Sequence, residues 1–240
     1  MTYIIEKRLM SGLPNVALTA IKYVIAHESG NPNNYGPDAL ENELAFMNQN
    51  KATAFTSHWV GGGGRIVQVA PVNRVQYGCG PIGNPLSYAQ VELARTNDKE
   101  QFKKDYAAYI WLLRELAKEA GIPIVLDSSG NGIKTHRWVA DTLGGTTHND
   151  PFPYLQTMGI TDEQFKLDIK NGLDKQLQTE KDDVIMQFTN ETTKAAVRDY
   201  IKQSVDKKLI DKSWLDKFDQ GTLTGGDFEG LKIIIAQRSN

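Results

Sequence analysis

The run from Asp98 to Ala120 constrains the fold more than any other segment. Phe102, Tyr106, Tyr109, Leu113, Leu116 and Ala120 recur at spacings of three or four, which puts one apolar stripe on a long amphipathic helix. Gly121 stops that helix and Pro123 follows it. Around it lie short apolar, β-branched segments that read as strands: Ile21 to Ala26, Ser57 to Val60, Arg65 to Ala70, Val91 to Leu93 and Ile124 to Leu126. Strands interleaved with helices predict an α/β (mixed α+β) domain, with a central sheet flanked by helices, over residues 1–172.

Local signals add detail. Asp38 to Asn50 reads as a helix capped by Asp38, with Glu41 at the capping-box position and Leu40, Leu44 and Met47 on one face. Gly61 to Gly64 joins two alternating apolar segments and reads as a hairpin turn. It lacks the Lys-Ser/Thr that follows a phosphate-binding glycine loop. Thr161 to Gln164 reads as a capping box opening a helix that runs to Gly172.

Beyond that point the pattern changes. Residues 173–183 are polar and charged and read as a linker or an exposed helix. Residues 184–240 read as a small helical domain. Val197, Ile201 and Val205 form one stripe, a short helix opens at Ser213, and Phe228, Leu231 and Ile235 lie on a helix from Asp227 to Gln237. The stripes are expected in the core of a small bundle, with Trp214 among its exposed residues.

Composition narrows the function classes. The formal net charge of -2 argues against a general nucleic-acid binder. No apolar run has the length of a membrane span or of a secretory leader. The expectation is a chain made in the cytoplasm, released by another component if it acts outside, with neither nucleic acid nor membrane as partner. The single cysteine, Cys79, allows no intrachain disulfide and reads as a small buried residue.

The four histidines, His27, His58, His136 and His148, all precede Asp150. A catalytic zinc takes three protein ligands from His, Cys, Asp or Glu and keeps one position for water. The metal acidifies that water and polarises a carbonyl, while a nearby Glu can move the proton to the leaving group. Spacing alone gives no local zinc signature, because neither His-Glu-x-x-His nor Cys-x-x-Cys is present. Four structural histidines would satisfy it equally well.

Five segments in order carry a resemblance: Tyr23 to His27; Ser57-His58-Trp59-Val60 with the glycines and Arg65 to Pro71; Ala89 to Leu93; Thr135-His136-Arg137; and Thr147 to Pro151. Together they resemble the zinc amidase family shared by phage endolysins, bacterial cell-wall recycling amidases and animal peptidoglycan recognition proteins, over residues 4–155. The resemblance implies a Zn2+ site made by His27, His136 and Asp150, the last because the family's third ligand directly precedes the proline. It implies Glu92 as general base and His148, two residues before that ligand, as a donor to the developing oxyanion, with ligation by His148 as the competing reading. Glu28 should face away from the metal by strand alternation, and His58 should lie near the site without ligating. Gly78 stands where relatives often carry a histidine, in Tyr77-Gly78-Cys79-Gly80.

The implied activity is hydrolysis of the amide between N-acetylmuramic acid and L-alanine of the peptidoglycan stem peptide, by an endolysin acting in host lysis. A non-catalytic peptidoglycan-binding protein and a zinc peptidase cutting within the stem peptide are the competing readings. By analogy with endolysin layout, the C-terminal segment is expected to bind a wall polymer, with self-association as the alternative.

Overall fold

Six strands make one sheet in the order β1-β4-β3-β5-β2-β6. They are β1 (Ile5–Lys7), β2 (Tyr23–Glu28), β3 (His58–Gly61), β4 (Arg65–Gln68), β5 (Ser87–Leu93) and β6 (Gly132–Thr135). Within this sheet β3 and β4 pair antiparallel, and the other neighbours run parallel. The computed structural model describes residues 3–173 and 185–239. The chain divides after Leu173 into two compact units. Among the described residues no helix is long and apolar enough to cross a membrane. The expected linker at 173–183 lies outside the described residues apart from Leu173.

The sheet is covered on both faces, so β2 is buried along its whole length. On one face lies α3 (Lys99–Glu119), the helix with the long apolar stripe. Tyr106, Tyr109, Leu113 and Leu116 pack there against Val24, Ala26, Val91 and Leu93. Asp98 caps this helix, its carboxylate accepting from the N–H groups of Glu100 and Gln101. At the other end Gly121, at φ +66°, lets its own N–H reach Lys118 O and that of Ile122 reach Ala117 O, a glycine-closed helix end.

The other face carries α1 (Ala39–Asn50), whose Leu40 and Met47 pack on Trp59 and Val67. Asp38 makes no side-chain cap to α1. Glu41 pairs instead with Arg8 and Arg65, at 2.7 and 2.9 Å, so the expected capping box gives way to ion pairs with β4 and the segment after β1. The glycine hairpin turns between β3 and β4 as expected, with Gly62, Gly63 and Gly64 at positive φ. The buried Asp105 of α3 secures it, accepting from the N–H groups of Gly63 and Gly64 at 2.8 and 2.5 Å.

Two strand expectations are corrected. β2 starts at Tyr23 rather than Ile21, because pairing with β5 and β6 begins there. Of Ile124 to Leu126, only Leu126 bridges to the sheet, at Ile133; the strand is β6. β6 conceals itself in the sequence because it contains a buried lysine. Lys134 donates its ammonium to Ser128 O and places it 4.4 Å from the Trp138 ring centre, which makes the charge tolerable in the sheet.

The first unit also holds α2 (Gly80–Gly83) with a 3-10 turn at Asn84–Leu86, α4 (His136–Thr142), α5 (Phe152–Thr157) and α6 (Asp162–Asn171). Thr161 caps α6 by accepting from Gln164 N, but the Gln164 side chain reaches forward to Asp168 and leaves the capping box half made. In the second unit, α7 (Glu191–Asp206), α8 (Ser213–Asp219) and α9 (Gly225–Arg238) enclose their own apolar core around Ile201, Phe218, Leu231 and Ile235. Thr224 and Asp227 form a complete capping box for α9. Trp214, expected to be exposed, packs half-buried against this core.

Candidate metal centre

β2, β5 and β6 are adjacent and parallel, so their carboxyl ends open at one place, where open parallel sheets hold their ligands. His27 lies one residue from the end of β2, and Glu92 one residue from the end of β5. His136 follows β6 directly. It is the first residue of α4, which Thr135 caps by accepting from Trp138 N. Asp150 stands in the turn before α5.

The three side chains converge. His27 Nδ1 is 3.1 Å from His136 Nδ1 and 3.2 Å from Asp150 Oδ2, and His136 Nδ1 is 3.0 Å from Asp150 Oδ1. All three residues are buried. Donors at the corners of a tetrahedral site with bonds of about 2.0–2.1 Å stand about 3.3 Å apart, so these spacings fit a metal. Two imidazole nitrogens and a carboxylate are also a zinc-type donor set. Burial opposes the Asp150 charge, but the His136 and His27 rings beside it outweigh burial and hold the carboxyl well below the usual range. Burial pushes the His136 pKa down, with Asp150 opposing, which favours the neutral ring that ligation requires.

Partners behind the rings hold them. His27 Nε2 lies 3.1 Å from Gln90 Oε1, and His136 Nε2 lies 2.9 Å from the Thr146 hydroxyl. Tyr109, from the far face of the sheet, donates its hydroxyl to His27 O at 2.8 Å. Sequence reading missed these three residues. Strand alternation could have flagged Gln90, which lies two residues before Glu92 and so on the same face. Thr146 and Tyr109 gave no signal.

Glu92 pairs in register with His27. Its Oε2 is sealed from solvent and has no hydrogen-bond partner. Burial first, then the charges of Asp150, Glu28 and Glu43, raise its pKa well above the ordinary glutamate value. Glu28, on the opposite face, is held by Arg95 through contacts of 2.6 and 2.7 Å.

His148 is exposed. Its ring stacks on that of His136, with centres 4.7 Å apart and planes at 4°, and its Nδ1 is 3.8 Å from Asp150 Oδ1. Both rings line a groove of about 750 Å³, together with Tyr77, Gly78, Pro81 and Thr146. His58, expected near the site, is not there. It pairs in register with Val91, not Glu92, and therefore faces the α3 side of the sheet. Burial drops its pKa to about 3. Cys79 is fully buried, and burial pushes its thiol up to about 12, so it stays protonated and unreactive.

Known proteins are similar to this chain in sequence and in fold. The chain is 51% identical over 171 residues to an endolysin of Listeria phage A511, covering 70% of this chain and 49% of that protein. It is 42% identical over 173 residues to a lytic amidase of Streptococcus pneumoniae phage HB-3, covering 70% of this chain and 53% of that one. The chain thus spans about half the length of these curated relatives. Its fold is similar to the crystal structure of the Staphylococcus aureus hydrolase AmiA in complex with its ligand, at a TM-score of 0.65 and 25% identity, covering 74% of this chain and 88% of that one. Residues 17–153 match the family model described as N-acetylmuramoyl-L-alanine amidase, and the chain therefore belongs to the N-acetylmuramoyl-L-alanine amidase family.

Proposed function

We propose that this protein is a zinc-dependent peptidoglycan amidase of the endolysin type. It hydrolyses the amide between the lactyl group of N-acetylmuramic acid and L-alanine of the stem peptide. The observation that carries the reading is the convergence of His27 Nδ1, His136 Nδ1 and the Asp150 carboxylate beside Glu92, whose Oε2 is buried without a partner. Two family relatives point the same way: one is called an endolysin and the other a lytic amidase.

In this reading His27, His136 and Asp150 hold the metal. Bound zinc supplies Lewis-acid polarisation of the carbonyl and activation of water near neutral pH. Glu92, whose buried Oε2 has no other partner, takes the proton from the attacking water and delivers it to the departing L-alanine amine. His148, exposed at the groove beside His136, donates to the oxyanion that develops on the carbonyl. The groove seats the glycan and stem peptide on either side of the scissile amide.

The C-terminal unit is assigned to binding a polymer of the cell wall, with its apolar stripes as core and its polar surface as the contact. Tethering the enzyme to its insoluble substrate raises its local concentration there.

Mass spectrometry of fragments released from purified peptidoglycan tests the reaction. Free stem peptides starting at L-alanine, with intact lactyl groups left on the glycan, are expected. Fragments cut within the stem peptide would make the protein a peptidase, and no fragments at all would make it a binding module.

A further inference from the structure

The orientation of one side-chain amide follows from the backbone around it. Asn84 Oδ1 accepts from the N–H groups of Gly78 and Cys79, at 3.2 and 2.9 Å. Backbone amides only donate, so the atom facing them is an oxygen. That oxygen lies 3.3 Å from one end of the Gln90 side chain, and Gln76 O lies 3.3 Å from the same end. Two acceptors are met there only by the amide NH2. The other end, the carbonyl Oε1, therefore faces His27 Nε2 at 3.1 Å. A carbonyl cannot donate, so the proton of this contact sits on Nε2.

Space for the contact comes from Gly78. A Cβ there would fall 2.3 Å from Gln90 Oε1 and 2.8 Å from Thr56 Cγ2. Gly78 is not among the residues at positive φ, so space and not backbone conformation requires the glycine. The room that a side chain at position 78 would take is thus filled by the end of Gln90.

We infer that Gln90 is a positioning residue: its carbonyl, oriented by Asn84 and admitted by Gly78, locks His27 as the Nε2–H tautomer and leaves the Nδ1 lone pair aimed at His136 and Asp150. The Gln90 contact is in place without a metal, and Asp150 Oδ2, 3.2 Å from Nδ1, is the acceptor it must outcompete for the proton. The lock's value for catalysis rests on the metal-site reading above; its existence does not. The two histidines differ in this respect. His136 meets a hydroxyl, Thr146 Oγ1, at 2.9 Å, and a hydroxyl can donate or accept, so it imposes no tautomer. Partners of this kind behind metal-binding histidines orient the ring and fix which nitrogen is free.

Long-range 1H–15N correlation spectra of the metal-free full chain read the tautomer of each histidine directly. His27 of the wild type is expected as Nε2–H. Gln90→Leu removes the acceptor at similar volume, and His27 should become a mixture of tautomers. Gly78→Ala should shift it the same way with Gln90 left unsubstituted, because the new Cβ displaces Gln90 Oε1. Zinc affinity, measured by competition with a fluorescent chelator, should fall about 10- to 100-fold in both variants. An Nδ1–H tautomer of His27 in the wild type overturns the inference, and so does a pure Nε2–H tautomer in Gln90→Leu. Should that variant fail to fold, the wild-type spectrum and Gly78→Ala decide. A wild type that keeps the Nε2–H tautomer yet binds no zinc upholds the lock and defeats the metal-site reading instead.

Discussion

His27 and Glu92 stand opposite one another, in register, on the adjacent parallel strands β2 and β5. Neighbouring strands lie about 4.8 Å apart, so the backbone ladder of the sheet sets the distance between the first proposed metal donor and the proposed base. Gln90, two residues earlier on β5, uses the same face to reach the back of the His27 ring. Donor, base and positioning group are fixed by two strands that are buried on both faces, which is where a fold holds side chains most rigidly.

Glu92→Gln should keep zinc and fold while losing at least about 100-fold in turnover, the scale of general acid–base catalysis. The metal-free variant should melt no lower than the wild type at pH 7. A glutamate whose folded pKa is raised opposes folding at any pH above its unfolded value of about 4.3, and that penalty disappears as pH falls to that value. The stability advantage of the variant should therefore shrink on acidification. Near-normal turnover with zinc bound would move proton transfer to another group.

One zinc per chain is expected in protein purified without chelator, measured by elemental analysis. His27→Ala should abolish both metal and activity, since two remaining donors seldom hold zinc. Chelator should lower the melting temperature of the wild type, because a ligand bound only to the folded state stabilises it, and should leave His27→Ala unchanged. Cleavage of wall by metal-free protein would end the mechanism.

His58→Gln should retain turnover within a few-fold, because the register places His58 on the α3 side of the sheet. Its effect should appear in stability. The folded pKa is depressed to about 3 by burial, from 6.5. Its contribution is fully present above pH 6.5 and is lost as pH falls toward 3, where the unfolded chain binds the proton and the folded one does not. The variant's stability should fall less steeply with acid than the wild type's, as denaturant titrations at several pH values would show.

Asp105→Ala should cost about 1–3 kcal/mol, the scale of stranding buried donors. The Gly63 and Gly64 N–H groups lose their acceptor, and the hairpin loses its tie to α3. Zinc content should not change, because the hairpin contributes no proposed donor. Chemical denaturation and elemental analysis of one preparation check both parts.

A chain ending near residue 180 should fold, hold zinc and cut small soluble muropeptides, since the proposed catalytic residues all precede Pro151. It should lose activity on intact cells. The C-terminal unit fused to a fluorescent reporter should sediment with purified walls. Ile201→Ala, which opens a cavity in that unit's core, should cost about 2–5 kcal/mol and weaken sedimentation without changing zinc content. A reporter fusion that stays in the supernatant, with full lysis by the short chain, would favour self-association, which sedimentation velocity would reveal.

Amino-acid order by itself determined the helix from Asp98, whose stripe repeats every three or four residues, and the glycine hairpin. It also brought out His27, Glu92, His136, His148 and Asp150, through short segments whose order resembles one family. Tertiary structure alone decided the rest. β6 lies at Gly132–Thr135 and not at Ile124 to Leu126, because the Lys134 charge finds Ser128 O and the Trp138 ring. Asp38 caps nothing, and Glu41 is drawn to Arg8 and Arg65. The face taken by His58 follows from its pairing with Val91. The free nitrogen of His27 follows from Asn84, Gln76 and Gln90 acting together. Periodicity reports which residues can be buried along one segment. Whether a charge, a cap or a ring nitrogen is satisfied depends on partners far away in the chain, and only the folded packing brings them within hydrogen-bonding distance.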